Sequence, residues 1–510
     1  MAFYNNVIAG AAGQSGGAAG YKIERSLRFD SGSSSYLSRT PSSAGNRNTW
    51  TWSGWVKRTT MGADKFIFAA GGDPANFHYL RFKSNDTLEA TEKISDSVQA
   101  SLVTDVVYRD PSAWYHIVYV YDSTQSTAAN RMSLYVNGAK VTVLGTSTYP
   151  SQNHNTYINN NIAHYINSWS VANGHADAYL AELHFIDGQA LAASDFGEYD
   201  DNGVWQPKEY SGTYGTNGFH LDFSDNSSNA ALGTDSSGNS NTWAVHNLTA
   251  SGLGNTSGVT TQVPQDVTGD WTGILGVTPT NTNGAFATIP DGAGSTQPDK
   301  GKFYWSGLTV GDTITLYGTG SGQNRSITGD VDEASSPGYV AVPGASLGSF
   351  TVTVTAASGS CKVDHNGAFT CYGITPGPLA SRYFDDLLDS PTNYEANSGN
   401  NGGNYATLNP LDTSTTNQGT YANGNLEFTK TGSGYASAKA SIGMTSGKWY
   451  CEVTKTSTGT NTVIGVHDET AIQDYLDRSA AGYGWRSDGL KVNNNQGHGN
   501  IGGYAEGDVM

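Results

Sequence analysis

Charged side chains are scarce in this chain, at 14% of its residues, where globular proteins carry about 25%. Apolar residues are few as well, at 37%, against about 45–50%. Both shortfalls argue against an ordinary cytosolic enzyme. Cysteine is rarer still. Cys361, Cys371 and Cys451 are too few for a disulfide-built scaffold, and none has zinc-site spacing. Basic clusters are missing. The longest, Lys57-Arg58, is ordinary, and the net charge is −18, so the stripe that marks a nucleic-acid binder is not there. An anionic partner would need a local basic pocket or a bridging cation. No run of 18 apolar residues exists, so no membrane-inserted helix is expected. The first ten residues lack the basic start and apolar stretch of a secretory signal.

What is present is glycine and aromatic side chains: 64 Gly, 29 Tyr, 16 Phe and 11 Trp. Disordered chains are poor in aromatics. Aromatic and β-branched residues split by Gly and Asn describe short strands joined by tight turns. The expected fold is all-β, with β-sandwiches in tandem.

Residues 1–22 are a Gly/Ala-rich segment that cannot build a core of its own. Phe3, Tyr4, Val7 and Ile8 give it a small apolar tip, suited either to docking or to a frayed terminus. From residue 23 to 257 the texture is that of strands. Ser26–Asp30, Trp50–Lys57, Trp114–Tyr121, Met132–Val136, Ala178–Ile186 and Phe219–Phe223 alternate apolar and polar residues. Asn137-Gly138 and Asp187-Gly188 supply turns. A short helix is expected over Ala192–Glu198. Residues 258–378 read as a small, separate β-domain, rich in Thr, Gly and Val, with strands at Phe303–Trp305, Thr313–Leu316 and Phe350–Thr355. There Asn366-Gly367 predicts a hairpin. Cys361 and Cys371 either face each other across it or are two reduced small hydrophobes. Residues 379–424 form a linker, with apolar spacing suited to a short helix at 379–389. Residues 425–510 read as half of another sandwich, so a longer chain is expected to continue it.

Particular runs carry a resemblance. They are Trp114-Tyr-His-Ile-Val with Leu134-Tyr-Val-Asn-Gly138, then Ala181-Glu-Leu-His-Phe-Ile-Asp-Gly-Gln-Ala-Leu. Gly203-Val-Trp-Gln-Pro-Lys, Tyr214-Gly-Thr-Asn-Gly-Phe-His-Leu-Asp-Phe-Ser-Asp225 and Leu232–Trp243 complete the set. Over residues 23–248 the chain resembles the laminin-G-like, concanavalin-type domain of tail-fibre and virion proteins of marine phages. Residues 425–510 resemble the opening half of a SPRY domain. Asp389–Tyr394 and Gly403–Leu411 resemble the joint before it. The resemblance implies a phage tail fibre or spike, usually homotrimeric and located on the virion. Its first 22 residues would join other tail proteins, and a distal part would touch a host glycan or protein. Release by lysis would explain the missing signal. A secreted bacterial adhesin is the alternative, and a glycan depolymerase a further one.

Concanavalin-type folds also host glycan-cleaving enzymes, so catalysis has to be tested by its site. The retaining reaction needs two carboxylates about 5–5.5 Å apart. The nearest candidates, Glu182 and Asp187, are separated by an odd spacing that puts them on opposite faces of a strand. No catalytic residue is expected, and no nucleophile elbow or phosphate loop has its strand–turn–helix context. Asp222, Asp225 and Asp235 lie in an oxygen-rich stretch, and laminin-G-type domains often bind calcium. The three are candidate calcium ligands or plain turn formers; otherwise no cofactor is expected. Tyr149, Tyr157, Tyr165 and Trp169 lie in an Asn-rich stretch from 149 to 173, the candidate glycan-recognition loop. The alternative is that they pack beneath that loop or at a trimer contact.

Overall fold

A computed structural model describes residues 20–170 and 173–250 continuously, strands alone between 285 and 376, and parts of 385–504. The chain divides into two compact units. One comprises residues 1–222, 235–241 and 388–510, the other 223–234 and 242–387.

The first unit holds the sandwich. Its strands are β1 (Ser26–Phe29), β2 (Tyr36–Arg39), β3 (Thr49–Arg58), β4 (Lys65–Asp73), β5 (Asn76–Phe82), β6 (Thr87–Ile94), β7 (Ser97–Val107) and β8 (Trp114–Asp122). They continue with β9 (Met132–Val136), β10 (Ala139–Lys140), β11 (Leu144–Thr148), β12 (His164–Ile166), β13 (Ala178–Asp187), β14 (Gly197–Tyr199), β15 (Trp205–Pro207) and β16 (Phe219–Leu221). One sheet runs β10-β9-β8-β3-β13-β1, with β16 also paired to β13. The other runs β11-β7-β6-β5-β4-β12-β2. The described neighbours within both are antiparallel. Among the described residues there is no α-helix, and no helix is long and apolar enough to cross a membrane.

Alternation explains the core. Trp50, Trp52, Gly54 and Val56 of β3 point inward, because successive strand residues face opposite ways. Trp52 stacks on Phe68 of the other sheet at 6.1 Å, and Phe68 meets Phe185 at 6.0 Å. Gly54 leaves room for two side chains. A Cβ there would lie 2.5 Å from Leu183 Cδ2 and 2.7 Å from the Trp52 ring. The β9–β10 hairpin turns on Asn137 (φ 49°) and Gly138 (φ 79°), the two left-handed positions of a type I′ turn.

The outward face of the first sheet is not solvated. Almost all of β3 and all of β13 are buried on both faces. Residues 191–214 cover one part, packing Leu191, Phe196, Trp205 and Tyr210 over Val118 and Ile186. Polar groups under that cover are matched. Trp205 Nε1 donates to His116 Nδ1 at 2.9 Å, which leaves Nε2 to donate to Ser53 Oγ at 2.8 Å. Asp389, Asn404, Tyr405 and Gly424 reach over another part. Lys57 Nζ reaches Asp389 Oδ2 at 2.7 Å, Asn404 Oδ1 at 2.9 Å and the Tyr405 carbonyl at 2.7 Å. Tyr179 donates to the Gly424 carbonyl. A buried ion pair thus fastens this segment to the sheet, and the three contacts of its ammonium saturate donors that burial would otherwise penalise.

The helix expected over Ala192–Glu198 is corrected, and so is the described end of the one expected over 379–389, whose residues 379–384 lie outside the described residues. Ala193–Asp195 makes a single 3-10 turn, in which the Asp195 carboxylate accepts the Ala192 N–H, and Gly197–Tyr199 then pairs with Trp205–Pro207. Asp386–Leu387 is a strand, preceded by Asp385, whose N–H and carboxylate bond the Thr249 backbone. In each place paired partners outweigh a helical pattern too short to nucleate.

The second unit contains two small sheets. Ala285–Ile289 pairs parallel with Thr313–Gly318, which pairs antiparallel with Ser349–Val354, itself beside Ile374–Pro376. Gly301–Ser306, Ser358–Val363 and Phe369–Tyr372 form the other, with Cys361 and Cys371 directly opposite in register. In the first unit, Val463–His467, Gly482–Arg486, Leu490–Asn493 and Gln496–Asn500 make an antiparallel meander.

Candidate recognition face of the second sheet

On the second sheet the inward residues include Phe68, His78, Leu80, Ala90 and Leu102, so their neighbours point out. That outer face gathers Phe66, Phe77 and Tyr79, with Trp169 from the loop after β12 packed against them. Phe77 stacks on Tyr79 at 4.7 Å, Phe66 meets Tyr79 edge-on at 5.0 Å, and Trp169 lies 5.9 Å from Phe66. Arg81 sits over Tyr79, its guanidinium 4.7 Å from the ring, and Lys93 hangs 5.8 Å from Phe77. Beside the rings runs a polar strip. Arg81 Nε donates to Glu89 Oε2 at 2.6 Å, while Thr91 Oγ1 bonds Glu89 Oε1 at 3.0 Å and Ser101 Oγ at 2.8 Å. Burial, reinforced by Glu89, pushes the Tyr79 phenol well above its ordinary value, so its hydroxyl stays protonated. Phe66, Phe77, Tyr79, Glu89, Thr91 and Ser101 are all buried, so what this face presents outward is the half-buried Trp169 with Arg81 and Lys93, an aromatic and cationic edge held in place by the rings and hydrogen bonds beneath it.

The four sequence-derived aromatics divide. Tyr165 faces outward on β12, 6.2 Å from Tyr36, and Trp169 is half-buried on the ring cluster. Tyr157 binds elsewhere. Its hydroxyl donates to Asn76 Oδ1 at 3.2 Å, and its N–H donates to the buried Glu92, which also meets His154. Tyr149 is half-buried after β11. Sequence reasoning missed Phe77, Tyr79 and Arg81, although Phe77-His-Tyr-Leu-Arg-Phe82 alternates cleanly.

The acidic candidates are engaged locally. Asp235 Oδ1 accepts the N–H groups of His220 and Ser237, and Oδ2 accepts the Asn241 N–H. Asp225 accepts from the backbone and hydroxyl of Ser227 two residues on, the geometry of a turn. Asp222 is half-buried beside His220. Among the described residues, the one group of three His, Cys, Asp or Glu side chains whose ligand atoms lie within 4.8 Å of one another is Glu182, His184 and His220. Asp187 lies apart from Glu182, on the inward side. Its carboxylate accepts from Asn46 N, Asn159 Nδ2 and Asn217 N. Phe3, Tyr4, Val7 and Ile8 lie outside the described residues, as does the Asn366-Gly367 turn.

Comparison with known proteins bears on the sandwich. A family model described as the concanavalin A-like lectin/glucanases superfamily, of the laminin-G type, matches residues 30–195. No curated protein matches significantly. Similar solved structures include a native heptameric SAP-like pentraxin from Limulus polyphemus, 18% identical with a TM-score of 0.26, covering 34% of this chain and 80% of that one. Domains LG4-5 of the mouse laminin α1 chain are 13% identical at a TM-score of 0.24, covering 39% and 48%. The CBM40 of a Ruminococcus gnavus IT-sialidase, bound to α2,3-sialyllactose, is 10% identical at 0.22, covering 35% and 94%.

Proposed function

We propose that this chain, which carries a laminin-G-like domain of the concanavalin A-like type, is a non-enzymatic binding component of a phage tail fibre or spike that attaches to host-surface glycans. The observation that supports the binding role is the outer face of the second sheet, where the half-buried Trp169, Arg81 and Lys93 lie over buried rings and a buried Glu89–Thr91–Ser101 network that fix their positions. Sugar rings present a C–H face that lies on aromatic side chains and hydroxyls that take up fixed hydrogen bonds. The tail assignment rests on the sequence resemblance. With it go attachment through residues 1–22, a homotrimer, a virion location, and a SPRY-like module after residue 425. A secreted adhesin would use the same face. Calcium held by Asp222, Asp225 and Asp235 belongs to the same resemblance.

The test is a glycan array probed with the purified chain, followed by Trp169→Ala and Tyr79→Ala. Binding to at least one host-surface glycan is expected, weakened tenfold or more by either substitution and unchanged by Tyr199→Ala, an exposed residue away from this face. Binding that survives both face substitutions would remove the site. Release of oligosaccharide from capsule or lipopolysaccharide would make the chain an enzyme instead. Absence of the chain from purified particles would remove the tail assignment.

A further inference from the structure

We propose that Glu182, His184 and His220 form a binding site for a divalent transition cation of the zinc class. The site lies on the outer side of the first sheet, away from the face assigned above to glycans. It is built by a break in regular pairing. The register between β13 and β3 shifts between Ala181 and His184, and Glu182 takes a left-handed φ of 51°. Such a conformation is strained for a non-glycine residue and tends to be kept where a side chain must be aimed. Here the bulge shifts the phase of β13, so that Glu182 and His184, two positions on, both turn to the outer side. His220 is directly opposite His184 in the β13–β16 pair.

The three side chains converge. His220 Nε2 lies 2.8 Å and His184 Nε2 3.2 Å from the same oxygen, Glu182 Oε1. The two imidazoles stack at 4.3 Å with a 14° interplanar angle. Two imidazole nitrogens and one carboxylate oxygen suit zinc and its first-row neighbours, and three protein ligands leave a position open for water or another group. The surroundings are those of a supported site. Tyr214 Oη lies 2.9 Å from His184 Nδ1 and orients that ring, as the outer partners of metal-bound histidines do. Tyr21 donates to Glu182 Oε1 at 2.6 Å and closes the site from the segment that precedes β1. Glu182 and His184 are buried, whereas the His220 side chain remains 14% exposed, which leaves an approach for an ion. A bound ion would tie β13, β16 and the Tyr21 segment together, a structural staple for a chain without a disulfide framework.

The experiment is metal uptake by the full chain. The protein is stripped with chelator, dialysed, and titrated separately with Zn²⁺, Co²⁺ and Ca²⁺, with metal content read by mass spectrometry and Co²⁺ by its visible ligand-field bands. One equivalent of Zn²⁺ or Co²⁺ per chain is expected, with a rise in thermal midpoint on Zn²⁺ addition. His220→Ala and the near-isosteric Glu182→Gln should each weaken uptake at least tenfold. Circular dichroism of each variant checks that the sandwich still forms, and His220→Ala, altering the most exposed ligand, is the safer of the two. Asp105→Ala, which removes an exposed carboxylate of the second sheet, should leave uptake unchanged. No stoichiometric Zn²⁺ or Co²⁺, uptake indifferent to both ligand variants, or a preference for Ca²⁺ would each overturn the proposal.

Discussion

Removing the Asp389 carboxylate should loosen the chain far more than its place in a Gly- and Asn-rich stretch suggests. Lys57 is fully buried and the Asp389 side chain is 6% exposed. The ammonium has three acceptors, of which only Asp389 carries charge. Asp389 also accepts the Trp114 indole N–H at 3.1 Å, and its own carbonyl accepts the Ser26 hydroxyl. Asp389→Ala leaves a buried cation without a counter-charge and an indole N–H without its acceptor. Breaking such a pair from one side costs about 3–5 kcal/mol. Lys57→Met should cost a similar amount, because it strands the carboxylate instead. The double variant Lys57→Met/Asp389→Leu removes both desolvation penalties and should recover most of the loss. The assay is urea unfolding of the sandwich followed by tryptophan fluorescence, with amide hydrogen exchange over residues 388–408 recorded in parallel. Single-variant losses below about 1 kcal/mol would refute the reasoning, as would a double variant no better than the sum of the singles. Exchange protection lost over 388–408 alone, with an unchanged urea midpoint, would show that the pair fastens the segment without stabilising the sandwich.

Other consequences can be checked in the same way. Trp52→Ala empties the stack against Phe68 at the centre of the core and should cost about 3–5 kcal/mol in urea unfolding. Gly54→Ala places a Cβ 2.5 Å from Leu183 Cδ2, and overpacking of that kind should cost about 1–3 kcal/mol, with Leu183→Ala partly restoring it. Acidification should destabilise the sandwich between about pH 6.5 and 4. Burial lowers His78 to about 4, against the opposing charge of Glu92 and with His154 nearby. Burial also lowers His164 to about 4, opposed by its bond to the Ile162 carbonyl and aided by Arg39 and His78. The unfolded chain therefore binds more protons across this window, so stability falls as pH falls, by roughly 3 kcal/mol for each histidine at most. Unfolding midpoints at pH 7, 5.5 and 4 measure it, and His78→Gln and His164→Gln should each flatten the slope.

The sequence by itself determined the strands of the sandwich, because side-chain alternation is a local property. Trp50-Thr-Trp-Ser-Gly-Trp-Val announces β3, and Asn137-Gly138 announces the turn after β9. It could not say which outward faces stay wet. Ser53, Lys57 and His116 fall at the polar positions of their strands and are all buried, because residues 191–214 and the residues at Asp389, Asn404 and Tyr405 return to cover them from elsewhere in the chain. Of the four aromatics read from the sequence, Trp169 joins the proposed binding face and Tyr165 is buried against Tyr36, while Phe77, Tyr79 and Arg81 looked like any strand until the loop after β12 brought Trp169 onto them. The Glu182–His184–His220 group was invisible for two physical reasons. A bulge resets the alternation at Glu182, and His220 comes from a strand whose pairing to β13 is fixed by packing across 35 intervening positions. Local pattern sets which residues form strands. Only the tertiary fold decides which of their faces meet other chain, and which are left to meet something else.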